Sequence, residues 1–393
     1  MKFKPVRLIS CIFCFAFLLN ACTSPISTPT EISATNEFTA VPTETFQNTT
    51  APQETPVQNI TEAYPPVDPQ NEKSILPTEN PYPAPITSQD TTDLPQEETL
   101  PLFRSLPIPE PQRLVWNPAG TEFALLGYDS LTYYAYPSLE KMFEFKSSED
   151  KSILDVANDG LHFATLNNNN IVQVNNWKTG EQVTFLIDFG FVAAKFSPDS
   201  KQLLFTLMEE RAAKLVNVQD GNIEKELSGF DTAAPVYDVR FAADGKHLLW
   251  FARATLQISD IESNTMGQSF NHEDFIASFT SNPQNTLIVT SAGAMENDQF
   301  KPFVFFWDPQ SGEMINKIEV TQPAYSMAFS PDGKRLAISQ EGSILLINAE
   351  TQTIQRKFTA HQDGISQLVF SDDGEILSSI GSDLIIKFWK MPE

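Results

Sequence analysis

Apolar and polar positions alternate along this chain in short runs that end at an aromatic or aliphatic anchor and a turn. The anchored turns read WNPAG from Trp116, VANDG from Val156, FSPDS from Phe196, FAADG from Phe241, FTSNP from Phe279, FSPDG from Phe329 and FSDDG from Phe370. Two residues before each anchor lies another apolar side chain: Leu114, Leu154, Ala194, Val239, Ala277, Met327 and Leu368. This period of two predicts strands with one buried face. The Pro, Asp and Gly that follow fix φ, supply an acceptor and tolerate positive φ, so each strand turns back.

A second apolar run opens seven residues past the anchor, at Phe123, Phe163, Leu203, Leu248, Leu336 and Leu377. The fifth unit reaches Leu287 through an irregular turn over residues 281–285. A third run, as at residues 303–307, 344–347 and 384–389, leads to a further turn and a fourth strand. Successive anchors are 40, 40, 45, 38, 50 and 41 residues apart. A period near 40 predicts repeated four-stranded sheets that bury their faces against their neighbours.

Seven such units resemble the WD-repeat family of β-propellers over residues 100–393. The last unit, AHQDGISQLVFSDDGEILSSIGSDLIIKFWK, follows the family pattern best, and Trp307-Asp308 keeps the family dipeptide. The corresponding slots at Asn175, Asn217, Ser259 and Asn348 are degenerate. The resemblance implies an all-β, seven-bladed propeller. It also implies that His361, Ser379, Asp383 and Trp389 form a hydrogen-bonded tetrad tying the loop from strand d to strand a onto the inner strands. Only four residues follow Trp389, so the last blade needs an outer strand from upstream, and residues 100–106 (LPLFRSL) are the expected donor. Such closure removes exposed edges.

The chain starts with Lys2, Lys4 and Arg7, followed by an apolar stretch over residues 9–19. That length suits a signal-peptide core and is short for a membrane span. The following Leu19-Asn20-Ala21-Cys22 resembles a bacterial lipobox, which implies cleavage before Cys22, lipidation of its thiol and an extracytoplasmic location. An ordinary secretory signal is the alternative. Two acyl chains hold a protein stably on a membrane, the cell membrane or an outer one if the organism has two. Residues 22–99 are rich in Thr, Pro, Ser and Glu, and 17 of the 28 prolines lie between Pro25 and Pro111. This composition predicts a disordered tether, its Thr and Ser open to glycosylation. The expected organisation is therefore a signal peptide over 1–21, a tether over 22–99 and a propeller over 100–393.

The formal net charge is -24, and removal of the signal peptide would take it to -27. So acidic a chain repels phosphate backbones and anionic headgroups, which argues against nucleic acid and leaves the lipid as the membrane contact. No cofactor is expected. His162, His247, His272 and His361 fall in different units, none with a second His or Cys at ligand spacing, so no metal site is expected either. Four consecutive asparagines, residues 167–170, suit a hairpin turn better than a set of oxygen ligands. His361, Ser379 and Asp383 also have the residue types of a nucleophilic triad, though without a GxSxG elbow.

A binding face is the better-supported expectation. In propellers the d-to-a and b-to-c loops gather at the channel mouth. Here they carry Phe189, Phe191, Phe230, Phe275, Tyr325 and, on the b-to-c loop of blade four, Arg253. Aromatics beside acidic residues suit a protein-protein contact, whereas rings that begin strand a would pack between blades. Residues 293–301 (GAMENDQFK) are expected to enlarge the b-to-c loop of blade five. The function expected is that of a tethered, monomeric propeller acting as a non-catalytic adaptor for a basic or neutral protein or cell-envelope component. An accessory role in envelope assembly is a variant of that reading. The rival is an extracytoplasmic hydrolase or lyase with its active site at the mouth.

Overall fold

The computed structural model describes residues 100–110, 112–207, 211–228, 236–296 and 299–392. Cys22 with its lipobox, the signal segment, the tether and Phe230 lie outside these residues.

Among the described residues there are 28 strands, β1 to β28 in chain order, and they form seven four-stranded antiparallel sheets. The molecule is an all-β, seven-bladed propeller. Six blades are consecutive quartets, the first running from β2 (Arg113–Trp116) to β5 (Lys141–Lys146) and the sixth from β22 (Met327–Phe329) to β25 (Thr353–Thr359). The seventh takes β26 (Ile365–Phe370), β27 (Ile376–Gly381) and β28 (Ile385–Lys390) from the end of the chain and β1 (Leu102–Pro107) from upstream. The closing strand is thus where the sequence placed it, with Leu106 opposite Ile386 and Leu102 opposite Trp389. Leu100 and Ile108 flank β1 and are buried in the apolar clusters on either side of the seventh blade. The innermost strands are β2 (Arg113–Trp116), β6 (Lys151–Val156), β10 (Ala193–Phe196), β14 (Asp238–Phe241), β18 (Ile276–Ser281), β22 (Met327–Phe329) and β26. They surround the central channel. The cores lie between sheets: one cluster joins Val289, Phe306, Leu336 and Ile347 of blades five and six.

Turn chemistry explains the repeat. After each innermost strand the chain passes through a left-handed residue, namely Gly120, Gly160, Ser200, Gly245, Asn285, Gly333 and Gly374. Glycine adopts this region without steric cost, and Asn is the non-glycine residue that tolerates it best. Asn285 corrects the fifth unit. Its amide bonds to the carbonyl of Asn282 (2.9 Å), as Gly120 bonds to Asn117 (3.0 Å). The anchor position therefore belongs to Ser281, and Phe279 is the apolar residue two places before it. With Ser281 in register, Ile288 begins the next strand seven residues on.

The stretch over residues 293–301 is also different from expectation. It does not enlarge a loop; it lengthens the ladder. β19 (Ile288–Glu296) and β20 (Gln299–Trp307) pair from Ile288↔Trp307 to Glu296↔Gln299. Strands b and c of blade four, β15 (His247–Ala252) and β16 (Thr255–Asp260), have six residues each, whereas β19 and β20 have nine. Blade five thus projects a hairpin beyond the mouth. Salt bridges from Lys301 and Lys317 to Glu296 brace it, with Nζ–O distances of 3.3 and 3.0 Å.

Candidate functional site

His361, Ser379, Asp383 and Trp389 come together in blade seven. His361 Nδ1 lies 2.9 Å from Asp383 Oδ1, and His361 Nε2 lies 2.8 Å from Ser379 Oγ. The indole N–H of Trp389 donates to the same Ser379 oxygen at 3.0 Å. With the imidazole proton on Nδ1, the serine hydroxyl donates to Nε2, and every polar atom of the array has a partner. Burial lowers the His361 pKa, against the opposing pull of Asp383, and keeps the ring neutral. The same chain of bonds would serve a nucleophilic serine, but Ser379 has 0% exposure, so no substrate reaches its oxygen. Gly381 completes the packing: a Cβ there would fall 2.2 Å from His361 Nδ1.

Two other blades repeat parts of this array, and the sequence reading missed both. In blade five, His272 Nε2 meets Thr290 Oγ1 at 3.0 Å, and Trp307 donates to that oxygen at 2.8 Å. The place of Asp383 is taken by the projecting hairpin, and Glu273 instead accepts the backbone N–H of Met295 (2.8 Å). Desolvation beside Phe305 and Trp307 pushes the His272 pKa down to about 3. In blade four the partners exchange strands, with Trp250 on β15 donating to Ser259 on β16 at 2.7 Å. Asn170 adopts the left-handed region, and Asn167 Oδ1 accepts the N–H groups of Asn169 and Ile171, so the asparagine run forms a turn.

Of the proposed contact residues, three stand on the mouth. Arg253 occupies the left-handed position of the β15–β16 turn, and its side chain is exposed. Its carbonyl accepts the N–H of Ile276 at 2.8 Å, which sets it beside Phe275. Tyr325 belongs to the loop leading into blade six. The neighbouring Ala324 is clamped between blade five hydroxyls: its N–H donates to Ser291 Oγ (2.8 Å), and its carbonyl accepts from Ser278 Oγ. Phe275 and Tyr325 are 43% and 51% exposed. Phe191 is a correction: its ring meets Phe205 edge-on at 4.9 Å and is half-buried in the core between blades two and three. Phe189 packs on the same ring at 5.4 Å.

The structure adds Tyr237, Met295 and Phe300 to this face, at 45%, 57% and 53% exposure. Met295 and Phe300 are paired across the projecting hairpin, and Gly293 leaves room for the Phe300 ring, since a Cβ there would lie 1.9 Å from Phe300 Cζ. The signal was the interval before Phe329, but a ladder and a loop of equal length look alike in sequence. Glu273, Glu341 and Gln322 are exposed among these apolar groups. Isolated exposed rings are ordinary; several on adjoining loops mark a recognition surface. Among the described residues there is no group of three or more His, Cys, Asp or Glu placed to hold a metal.

Residues 352–390, which include Ser379, Asp383 and Trp389, match the WD domain, G-beta repeat family. The chain is 24% identical to human WD repeat-containing protein 36 over 173 residues, which cover 43% of this chain and 18% of that protein. It is 28% identical to WD repeat-containing protein slp1 of Schizosaccharomyces pombe over 114 residues, 28% of this chain and 22% of the relative. The matched part thus spans about a fifth of each curated relative's length. Among solved structures, the β-propeller domain of Myceliophteria thermophila Cps50 (Swd1) is similar with a TM-score of 0.59 at 14% identity. That likeness covers 75% of this chain and 100% of that one. Kuenenia stuttgartiensis hydrazine synthase is similar with a TM-score of 0.56 at 13% identity, covering 71% and 94%. At these identities the likeness is one of fold. The repeat match and the WD-repeat relatives support a WD-repeat propeller and, with it, a protein-interaction scaffold.

Proposed function

We propose that this chain is an exported lipoprotein, anchored through Cys22, whose propeller binds another protein at its mouth and carries out no catalysis. The observation that carries the binding role is the run of exposed apolar groups across blades four to six: Tyr237, Phe275, Met295, Phe300 and Tyr325, with Arg253 among them. Hydrogen bonds hold these segments: Tyr237 N–H to the Phe251 carbonyl, Ile276 N–H to the Arg253 carbonyl, Met295 N–H to Glu273, and Ala324 to the Ser278 and Ser291 hydroxyls, so little ordering entropy opposes binding. The exposed carboxylates around them and the net charge of -24 favour a basic or neutral partner. The anchoring role rests on the basic start, the apolar stretch and Leu19-Asn20-Ala21-Cys22. A photo-crosslinking residue placed in cells at Phe275 or Tyr325 should capture one discrete partner. The same residue at Ile223, exposed at the start of an outer strand on the opposite face, should not. Equal labelling from all three positions would contradict the assignment.

A further inference from the structure

The charges on the channel wall run against the charge of the protein. Among the described residues, the innermost strands of blades one to four carry Arg113, Lys151, Asp155, Lys195, Asp238 and Arg240. Those of blades five to seven carry no charged side chain. Lys151 turns outward, onto the Phe145 ring and the side-chain Oε1 of Gln173. The other five fall into two ion-paired groups, Arg113, Asp155 and Lys195 in one and Asp238 with Arg240 in the other. The Asp155 carboxylate is buried; it accepts from the Arg113 guanidinium and from the N–H of Phe196 (2.8 Å), and Lys195 Nζ lies 3.9 Å away. Asp238, also buried, accepts from Arg240 Nε.

Two carboxylates therefore face three cations, and one positive charge is left over. Asp155 already has Arg113 and a backbone donor, so Lys195 is the surplus group. The side chains of Arg113, Lys195 and Arg240 keep 35%, 36% and 47% exposure. Neighbouring blades cover both faces of these strands, so the solvent they meet is that of the channel. Only Nη2 of Arg113 and Nε of Arg240 are used on the carboxylates, which leaves N–H groups on each fork. The Arg240 guanidinium is held over the Phe279 ring, 5.0 Å from its centroid. Arg113 and then burial lower the Lys195 pKa, a mark of crowded positive charge.

We propose that the channel wall of blades one to four binds a small oxyanion, a phosphate or carboxylate group, through Lys195 with the free edges of Arg113 and Arg240. An internal ion-pair network built for stability alone would end neutral, whereas this one ends positive and wet inside an otherwise acidic protein. Low-dielectric walls focus that charge on the channel, and guanidinium forks match planar or tetrahedral oxyanions. The site lies apart from the mouth residues and does not depend on the partner-binding role.

Isothermal titration of the full chain at low ionic strength, with inorganic phosphate in one arm and succinate in the other, tests this. Saturable one-site binding is expected in at least one arm, and the stronger arm identifies the oxyanion. Lys195→Gln should weaken that binding by about tenfold or more, the effect of losing a charge-assisted hydrogen bond. Lys195→Arg should retain most of it. Arg240→Lys, which keeps a cation beside Asp238, should weaken it several-fold and gives a second measure if Lys195→Gln folds poorly. No saturation in either arm, or wild-type affinity in both weakened variants, would overturn the proposal.

Discussion

An imidazole packed into the fold is a pH sensor whose sign depends on its partner. Among the described residues the His272 ring has Thr290 Oγ1 as its hydrogen-bond partner and two aromatic rings beside it, and its folded pKa is about 3. Below pH 6.5 the unfolded chain takes up a proton that the folded ring refuses, so stability falls as pH drops. From pH 7 to pH 5 that loss amounts to about 2 kcal/mol from this residue alone. His361, also lowered by burial, acts in the same direction. His162 acts in the opposite one: its bond to Asp159 raises its pKa, so its contribution is present at low pH and fades as pH rises through the folded value. Denaturant unfolding at both pH values should show His272→Gln losing about 2 kcal/mol less than wild type over that interval. Parallel losses would mean that His272 titrates normally.

At the level of the element, the hairpin turns separate folding from recognition. Arg253 holds a left-handed conformation at φ 50°, which costs an L-residue with a Cβ roughly 1–2 kcal/mol relative to glycine. Arg253→Gly should therefore leave the melting temperature unchanged or slightly raised while weakening partner binding. A destabilised variant would mean that the side chain has a structural role. The same elements show what could be read in advance. Trp116, Phe329 and Phe370 announce their strands because a large apolar anchor is followed by residues with strong turn preferences. Ser281 does not, because a hydroxyl stands where the ring was expected and Phe279 lies two places earlier on the same strand face. A shift of two preserves the side-chain alternation and is invisible to periodicity. His272 was hidden for a related reason: Asn271 precedes it, no Asp follows at the Asp383 spacing, and Thr290 replaces serine. Phe191 could not be resolved either, since a ring beginning an inner strand can face the mouth or the next blade, and only the position of Phe205 decides which.

For the molecule as a whole, closure is the property on which the channel and the mouth depend. β1 fills the outer place of the last sheet, and Leu100 and Ile108 lock it between apolar clusters. Excising residues 100–107 should leave β28 as an unpaired edge. The expected result is a melting temperature lower by about 10 °C or more and concentration-dependent association in light scattering. An unchanged melting temperature in a monomeric deletion variant would show that the ring does not need its clasp. The closing strand also has a direction. Leu102 lies opposite Trp389, beside the face of the a-to-b turns, and Pro107 lies opposite Ile385, beside the face that carries Phe275 and Tyr325. The polypeptide therefore joins the ring on the side away from its recognition loops. If a ligand is gripped at those loops while the upstream end is pulled, the tension runs lengthwise along β1. Its rungs to β28 are then loaded together in shear instead of being unzipped one after another, so the seam that shuts the ring is also the one best oriented to withstand traction.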